Sequence, residues 1–277
     1  MVSSVFKSKW KGILLLVLVF LVGIGCTDDA SSDSGQEESV YYVCASCKSA
    51  PEALPEHDNS YKGIYSGVVN TDIVTFNIDN NNDESFRLTV LRGDLIRDFV
   101  FLNQWSNGNR FYAVFNGGFG YGHHDFQRFN VQFSVDLNGD NPEVIFTDEE
   151  MFRVESGRTI FKEKSTSLVE VFNGELSKRK NYLSTESRIG ADDNVTVVKV
   201  GSQRIVLSRN EGYWYGFVTM YAGVNDEFSL FNSGSIVNNK LVDVNGKVVG
   251  TLIYDYFSGK SVDENQETIN ITAKRVI

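Results

Sequence analysis

Few residues in this chain could do chemistry, and their spacing limits what each can do. Cys44 and Cys47 stand in Val-Cys-Ala-Ser-Cys-Lys. A C-x-x-C pair has three readings: a redox couple, half of a zinc site, or a local disulfide. A thioredoxin-type couple needs a βαβ context, and no alternation of strand and helix patterns follows. Haem attachment needs His after the second cysteine, where Lys48 stands. Zinc takes four ligands, and only His57 and Asp58 are close in sequence. A disulfide between Cys44 and Cys47 is the simplest state in an oxidising compartment.

His123 and His124 lie in Gly117-Gly-Phe-Gly-Tyr-Gly-His-His-Asp-Phe126. A phosphate cradle would lead into a helix N-terminus, but the strand-like run Phe126 to Val135 follows. Adjacent histidines on a strand point to opposite faces, so they do not share a metal. The run is expected to form a glycine-rich hairpin tip, with Phe119, Tyr121, His123 and Phe126 as a candidate ligand-binding platform. Asp136-Leu-Asn-Gly-Asp-Asn141 has the oxygen spacing of a calcium loop. Asn141 stands where that loop needs Gly and Thr147 where it needs an acid, so turn chemistry explains it better. The acids Asp79 to Glu84 and Asp148 to Glu150 are candidates for a glycosidase pair, but they are better read as solvated turns. A G-x-S-x-G nucleophile elbow is absent. The reading is therefore of no catalytic residue, no metal site and no cofactor.

The elements that would position these residues are strands. From Tyr61 onward, short alternating runs such as Thr75–Ile78, Phe86–Val90, Phe129–Val135 and Thr268–Thr272 are broken by Gly, Asn or Asp, a pattern of antiparallel strands. Three prolines against 24 glycines favour tight hairpins. The expected fold is all-β, an antiparallel sandwich or barrel. Self-similarity divides it into two tandem copies of one β unit, residues 61–171 and 172–277. Tyr61-Lys-Gly-Ile-Tyr65 matches Phe172-Asn-Gly-Glu-Leu176. Phe111–Gly117 matches Phe217–Gly223, and Val135–Gly139 matches Val242–Gly246. Asn138-Gly139 and Asn245-Gly246 are expected to cap equivalent type I′ hairpins. Phe129–Val135 would pair with Val144–Phe146, and Ser235–Val242 with Val248–Tyr254.

The first 25 residues set the location. Lys7, Lys9 and Lys11 precede the 12-residue apolar run Ile13–Ile24, too short for the roughly 20 residues of a spanning helix. The run ends at Gly25 and Cys26. This end resembles the bacterial lipobox, which implies diacylglyceryl addition to Cys26 and removal of residues 1–25; a non-lipidated export signal is the other reading. Residues 26–60 would form a lipid-anchored tether containing the C-x-x-C segment. The stretch Thr27–Ser39 has five acids, no bases and no large apolar group, and it would hold the fold about 20 Å from the lipid. Asp28 and Asp29 after the cysteine resemble the export tag of Bacteroidota-type surface lipoproteins. Tyr61–Val69 and Gly250–Val276 resemble the opening and the basic closing strand of flavobacterial members. The resemblance implies display on the outer face of the outer membrane and brings no catalytic motif.

Loss of residues 1–25 removes three lysines and no acids, taking the net charge from −10 to −13. An acidic surface does not suit nucleic acid or anionic headgroups. The functional expectation is a non-catalytic binding or structural protein of the envelope, held to the membrane through its lipid. Its partner would be a glycan, a small apolar ligand or an envelope protein. The rivals are a secreted glycan hydrolase using Asp148 or Glu150, and a lipocalin-like carrier, since a closed barrel can hold one small molecule.

Overall fold

The computed structural model describes residues 42–69, 72–120, 126–148, 153–154, 159–181, 195–221, 227–262 and 268–277. Among them the chain is almost wholly β, with a single 3-10 turn at Pro55–His57. Two consecutive up-and-down units account for the strands.

The first unit holds β1 (Gly63–Val69), β2 (Asp72–Ile78), β3 (Phe86–Arg92), β4 (Leu95–Asn107), β5 (Arg110–Phe119), β6 (Gln127–Asp136), β7 (Glu143–Asp148), β8 (Arg153–Val154) and β9 (Thr159–Lys162). They form one antiparallel sheet in the order β8-β7-β6-β5-β4-β3-β2-β1-β9, so the last strand returns beside the first. The second unit holds β10 (Glu170–Asn181), β11 (Val195–Ser208), β12 (Tyr213–Tyr221), β13 (Glu227–Val237), β14 (Lys240–Asp243), β15 (Val248–Ile253), β16 (Tyr256–Val262) and β17 (Thr268–Arg275). This is a closed barrel, with β17 pairing β10. Up-and-down closure satisfies the backbone of the edge strands.

Period-two alternation builds each core. Tyr65, Phe76, Leu88, Phe115, Phe133 and Phe146 fill the first unit, whereas Phe172, Ile205, Trp214, Leu252 and Phe257 fill the second. The β1 strand is buried on both faces. Its Tyr65 and Val69 face the first core, while Val68 joins Ile73, Val169, Val171 and Val206 in a third cluster, which seals the two units together. Phe161 extends that seal, with ring centroids 4.7 Å from Tyr215 and 5.1 Å from Tyr213.

Strand-interior glycines let the strands coil this tightly. A Cβ on Gly67 of β1 would overlap the Thr159 carbonyl of β9, and one on Gly174 of β10 would overlap the Thr272 carbonyl of β17. In both units the first strand thus uses glycine where the closing strand presses on it. This corrects two expectations. Many glycines serve strand bends rather than turns, and the residue equivalent to Gly174 is Gly67, not Gly63.

The turns need similar correction. At Asp136–Asp140 and Asp243–Lys247 the same bonds recur. Asp136 N–H donates to Asp140 O (2.9 Å) and Gly139 N–H to Asp136 O (2.8 Å); Asp243 donates to Lys247 (2.9 Å) and Gly246 to Asp243 (3.0 Å). Only the glycines have positive φ, +88° and +79°, so these are type I turns with a glycine bulge rather than type I′ turns. The two-residue hairpin with both residues at positive φ is Asn238-Asn239 (51° and 61°), which splits the expected strand Ser235–Val242 into β13 and β14. The β6–β7 pairing follows the expected register, Val131 opposite Phe146. The two Asn-Gly turns follow the sixth strand of one unit and the fifth of the other, and Phe111 and Phe217 lie on the fifth and third strands. Of the three matched pairs, only the first falls on strands of the same ordinal position.

Candidate functional site

The segment before β1 is not a tether throughout. Residues 42–60 form a strap docked on both units and on the linker between them. Cys44 and Cys47 are joined by a disulfide. Cys44 N–H donates to Asp255 Oδ2 (3.0 Å), and Tyr42 Oη to Arg275 O (3.3 Å), on the second barrel. The Glu52 and Ala53 amides donate to Glu163 Oε1 of the linker at 2.6 and 3.0 Å. Asn80 of the first unit donates to Glu52 O (3.0 Å). Burial pushes the Glu163 carboxyl above the usual carboxylate range, against the lowering effect of those amides. Asp58 accepts from the Ser165 amide (2.8 Å) and hydroxyl (2.7 Å). Burial works against its charge, but these bonds hold its pKa below the ordinary value.

Two buried cations lie beneath the strap, each at the end of a closing strand. Lys162 donates to the carbonyls of His57 and Ser60, and its ammonium is 5.7 Å from the centroid of the Tyr65 ring. Burial, and after it the nearby Lys164 charge, lowers the Lys162 pKa to about 8. Arg275 pairs with Glu170 (3.3 Å) and Asp255 (3.1 Å) and donates to the Lys48 carbonyl. Two open clefts flank these plugs. One of about 400 Å³ is lined by Val43, Glu170, Arg209 and Arg275, and one of about 520 Å³ by Arg110, Lys162, Glu211 and Tyr213. In both, the charges largely pair with one another: Arg209 with Glu170 (2.7 Å), and Arg110 with Asp136 (3.0 Å) and Glu143 (2.9 Å).

The expected aromatic platform is not presented as a unit. Phe119 is buried under the Arg92 guanidinium, 4.3 Å from its ring centroid, and Arg92 is held by Asp72 at 2.7 Å. Gly117 and Gly118 belong to β5, where Gly117 leaves room for the Phe99 ring. Phe126 is exposed, whereas Tyr121 and His123 lie outside the described residues, as do Cys26 and Glu150. Asp148 ends β7. The turn Asp79–Glu84 is not wholly solvated: Asp79 and Asn80 are buried, Asp79 pairing with Lys62 at 2.6 Å. Asp136, the first acid of the calcium-like loop, is engaged by Arg110 and by the Asn141 amide (2.7 Å).

Sequence reading passed over the outer wall of the first unit. Register places Trp105 opposite Tyr112, Asn103 opposite Val114 opposite Gln132, and Val100 opposite Asn116 opposite Asn130, with side chains alternate to the buried Phe111, Ala113, Phe115 and Val131. These three rows carry no formal charge; charged rows border them on both sides, Arg110–Asp136 beyond Trp105 and Gly118–Arg128 beyond Val100. Val100 is 66% exposed, Leu102 54% and Trp105 40%. The rings of Trp105 and Tyr112 stack at 5.1 Å, 3° from parallel. The β3 ladder ends at Phe99, so beyond it β4 pairs only with β5. The available signal was Leu-Asn-Gln-Trp-Ser-Asn, an uncharged run around a tryptophan in an acidic chain.

Among the described residues, the fold and this site define an all-β protein of a nearly closed nine-stranded sheet followed by a closed eight-stranded barrel, with a partly apolar outer wall on the first. Comparison with family models, curated proteins and solved structures gave no match.

Proposed function

We propose that this is a lipid-anchored protein of the outer membrane, displayed at the cell surface, with a non-catalytic binding role carried by the outer wall of its first barrel. The supporting observation is that wall: Val100, Leu102 and Trp105 are all exposed on one strand, Trp105 stacked on Tyr112, and large apolar side chains held in solvent among uncharged polar ones mark an interaction site. The anchor rests on Lys7 to Cys26 in the sequence. The docked strap suits such an anchor, because its contacts with both barrels join them to the lipidated end. An alkyne fatty acid should label the wild type and not Cys26→Ala, which should appear in the soluble fraction; unchanged membrane retention overturns the anchor. For the wall, the chain carrying Cys26→Ala, and so lacking the lipid, should cosediment with envelope material, and the same chain with Leu102→Ser/Trp105→Ala should not. Equal sedimentation of the variant overturns the binding face.

A second reading, a carrier of a small apolar ligand, draws on one residue. Gln203 alternates with the inward Ile205 and Leu207 of β11, and its buried Oε1 has no hydrogen-bond partner among the described residues. A buried acceptor left unpaired costs about 1–3 kcal/mol, which a bound donor would recover. A copurifying small molecule in native mass spectrometry, absent from Gln203→Leu, supports this reading.

A further inference from the structure

We propose that the outer wall of β4–β6 binds a neutral glycan chain, with Trp105 as the stacking platform. The inference rests on reading the wall as a binding face and names what it binds. The ligand class follows from chemistry. A pyranose ring has an apolar C–H face and a rim of hydroxyls, so it needs a flat aromatic surface beside groups that donate and accept hydrogen bonds.

The wall supplies both. Tyr112 backs one face of the indole, fixing it upright on the sheet at 3° from parallel. On the other side β3 has already ended, since its ladder with β4 runs only to Phe99. Rows of carboxamides lie along the same face: Asn103, Asn116, Asn130 and Gln132. Asn116 Nδ2 donates to Asn130 Oδ1 at 2.9 Å, which sets both amides in fixed orientation on the surface. Carboxamides pair a donor with an acceptor, the arrangement that matches adjacent hydroxyls.

Charge selects among glycans. The chain carries a net charge of −10, or −13 without residues 1–25, and the rows from Val100 to Trp105 are uncharged between the bordering Arg128 and Arg110. An acidic polysaccharide would be repelled by the net charge, and of the cations bordering the rows Arg110 is engaged by Asp136 and Glu143 and Arg128 lies over the Phe126 ring, whereas a neutral one meets no electrostatic penalty. A protein partner would depend on a large dry apolar centre, which amide rows at this spacing do not provide.

The test uses the full lipidated chain in detergent, titrated with neutral oligosaccharides, with anionic ones, and with solubilised envelope proteins. Trp214 is buried, donating its Nε1–H to Val242 O, and Trp10 is lost with residues 1–25, so a change in tryptophan emission on binding reports Trp105. Neutral oligosaccharide should shift the emission, with affinity insensitive to salt. Measured by isothermal titration calorimetry, which does not depend on the indole, Trp105→Ala should weaken binding about tenfold or more and Asn116→Ala/Asn130→Ala should weaken it too, with circular dichroism unchanged. Binding of anionic glycans only, or unchanged affinity in Trp105→Ala, overturns the proposal. Trp105-dependent binding of an envelope protein without any glycan response overturns the glycan while leaving the wall a binding face.

Discussion

Lys162 and Arg275 stand at the same place in their two barrels: Lys162 is the register partner of Tyr65 in β1, and Arg275 of Phe172 in β10. Each first-strand aromatic precedes by two residues the glycine on which the closing strand presses. Each cation is buried at the end of its closing strand and donates to strap carbonyls, His57 and Ser60 in one case and Lys48 in the other. The surroundings differ. Arg275 has two carboxylates as partners, whereas Lys162 has backbone carbonyls and an aromatic face.

That difference makes Arg275 the costlier to lose. Arg275→Met would leave Glu170, 4% exposed, without one of its two arginine partners. Breaking a buried pair from one side costs about 3–5 kcal/mol. Urea denaturation should show a loss of this order, partly recovered in Arg275→Met/Glu170→Gln. No recovery in the double variant would mean that packing, not charge, is what Arg275 supplies.

Lys162 gives stability a pH dependence of unusual sign. With the folded pKa at about 8 against an ordinary 10.5, the unfolded chain binds more protons between those values. The contribution of this residue therefore rises with pH across the window, by at most about 3 kcal/mol. Melts of wild type and Lys162→Met from pH 8 to 10.5 should diverge in favour of the wild type as pH rises. A constant difference would sink the assignment.

Gly174→Ala should be far more damaging than Gly246→Ala. At Gly174 the added carbon meets the Thr272 carbonyl and the backbone of β17, so the barrel seam must shift, costing about 3 kcal/mol or more. At Gly246 there is open space, and only the positive φ opposes alanine, at about 1 kcal/mol. Equal loss in the two variants, read by chemical denaturation, would remove the seam argument.

Cys44→Ala/Cys47→Ala should loosen the strap without unfolding the barrels. The bridge closes a very short loop, so its global effect should stay below about 2 kcal/mol. Limited proteolysis should cut the variant within residues 42–60 faster than the wild type while the barrels resist. Global unfolding instead would show that the strap is part of the barrel cores.

Alternation and local chemistry were enough to establish the β content and the β6–β7 pairing. Phe129 to Val135 can bury one face only as a strand. The proximity of Cys44 and Cys47 is likewise a matter of spacing. What depends on distant residues was not legible. Gly67 and Gly174 look like turn glycines until the closing strand, about a hundred residues away, is brought against them. Asp79 and Asn80 look like solvated turn residues until the strap is laid over them. Trp105 looks like one more core aromatic because period two gives the alternation but not which face is outside. The curl of the first sheet around its core and the limited length of β3 decided that, since they leave the end of β4 paired on one side and its outward row in solvent.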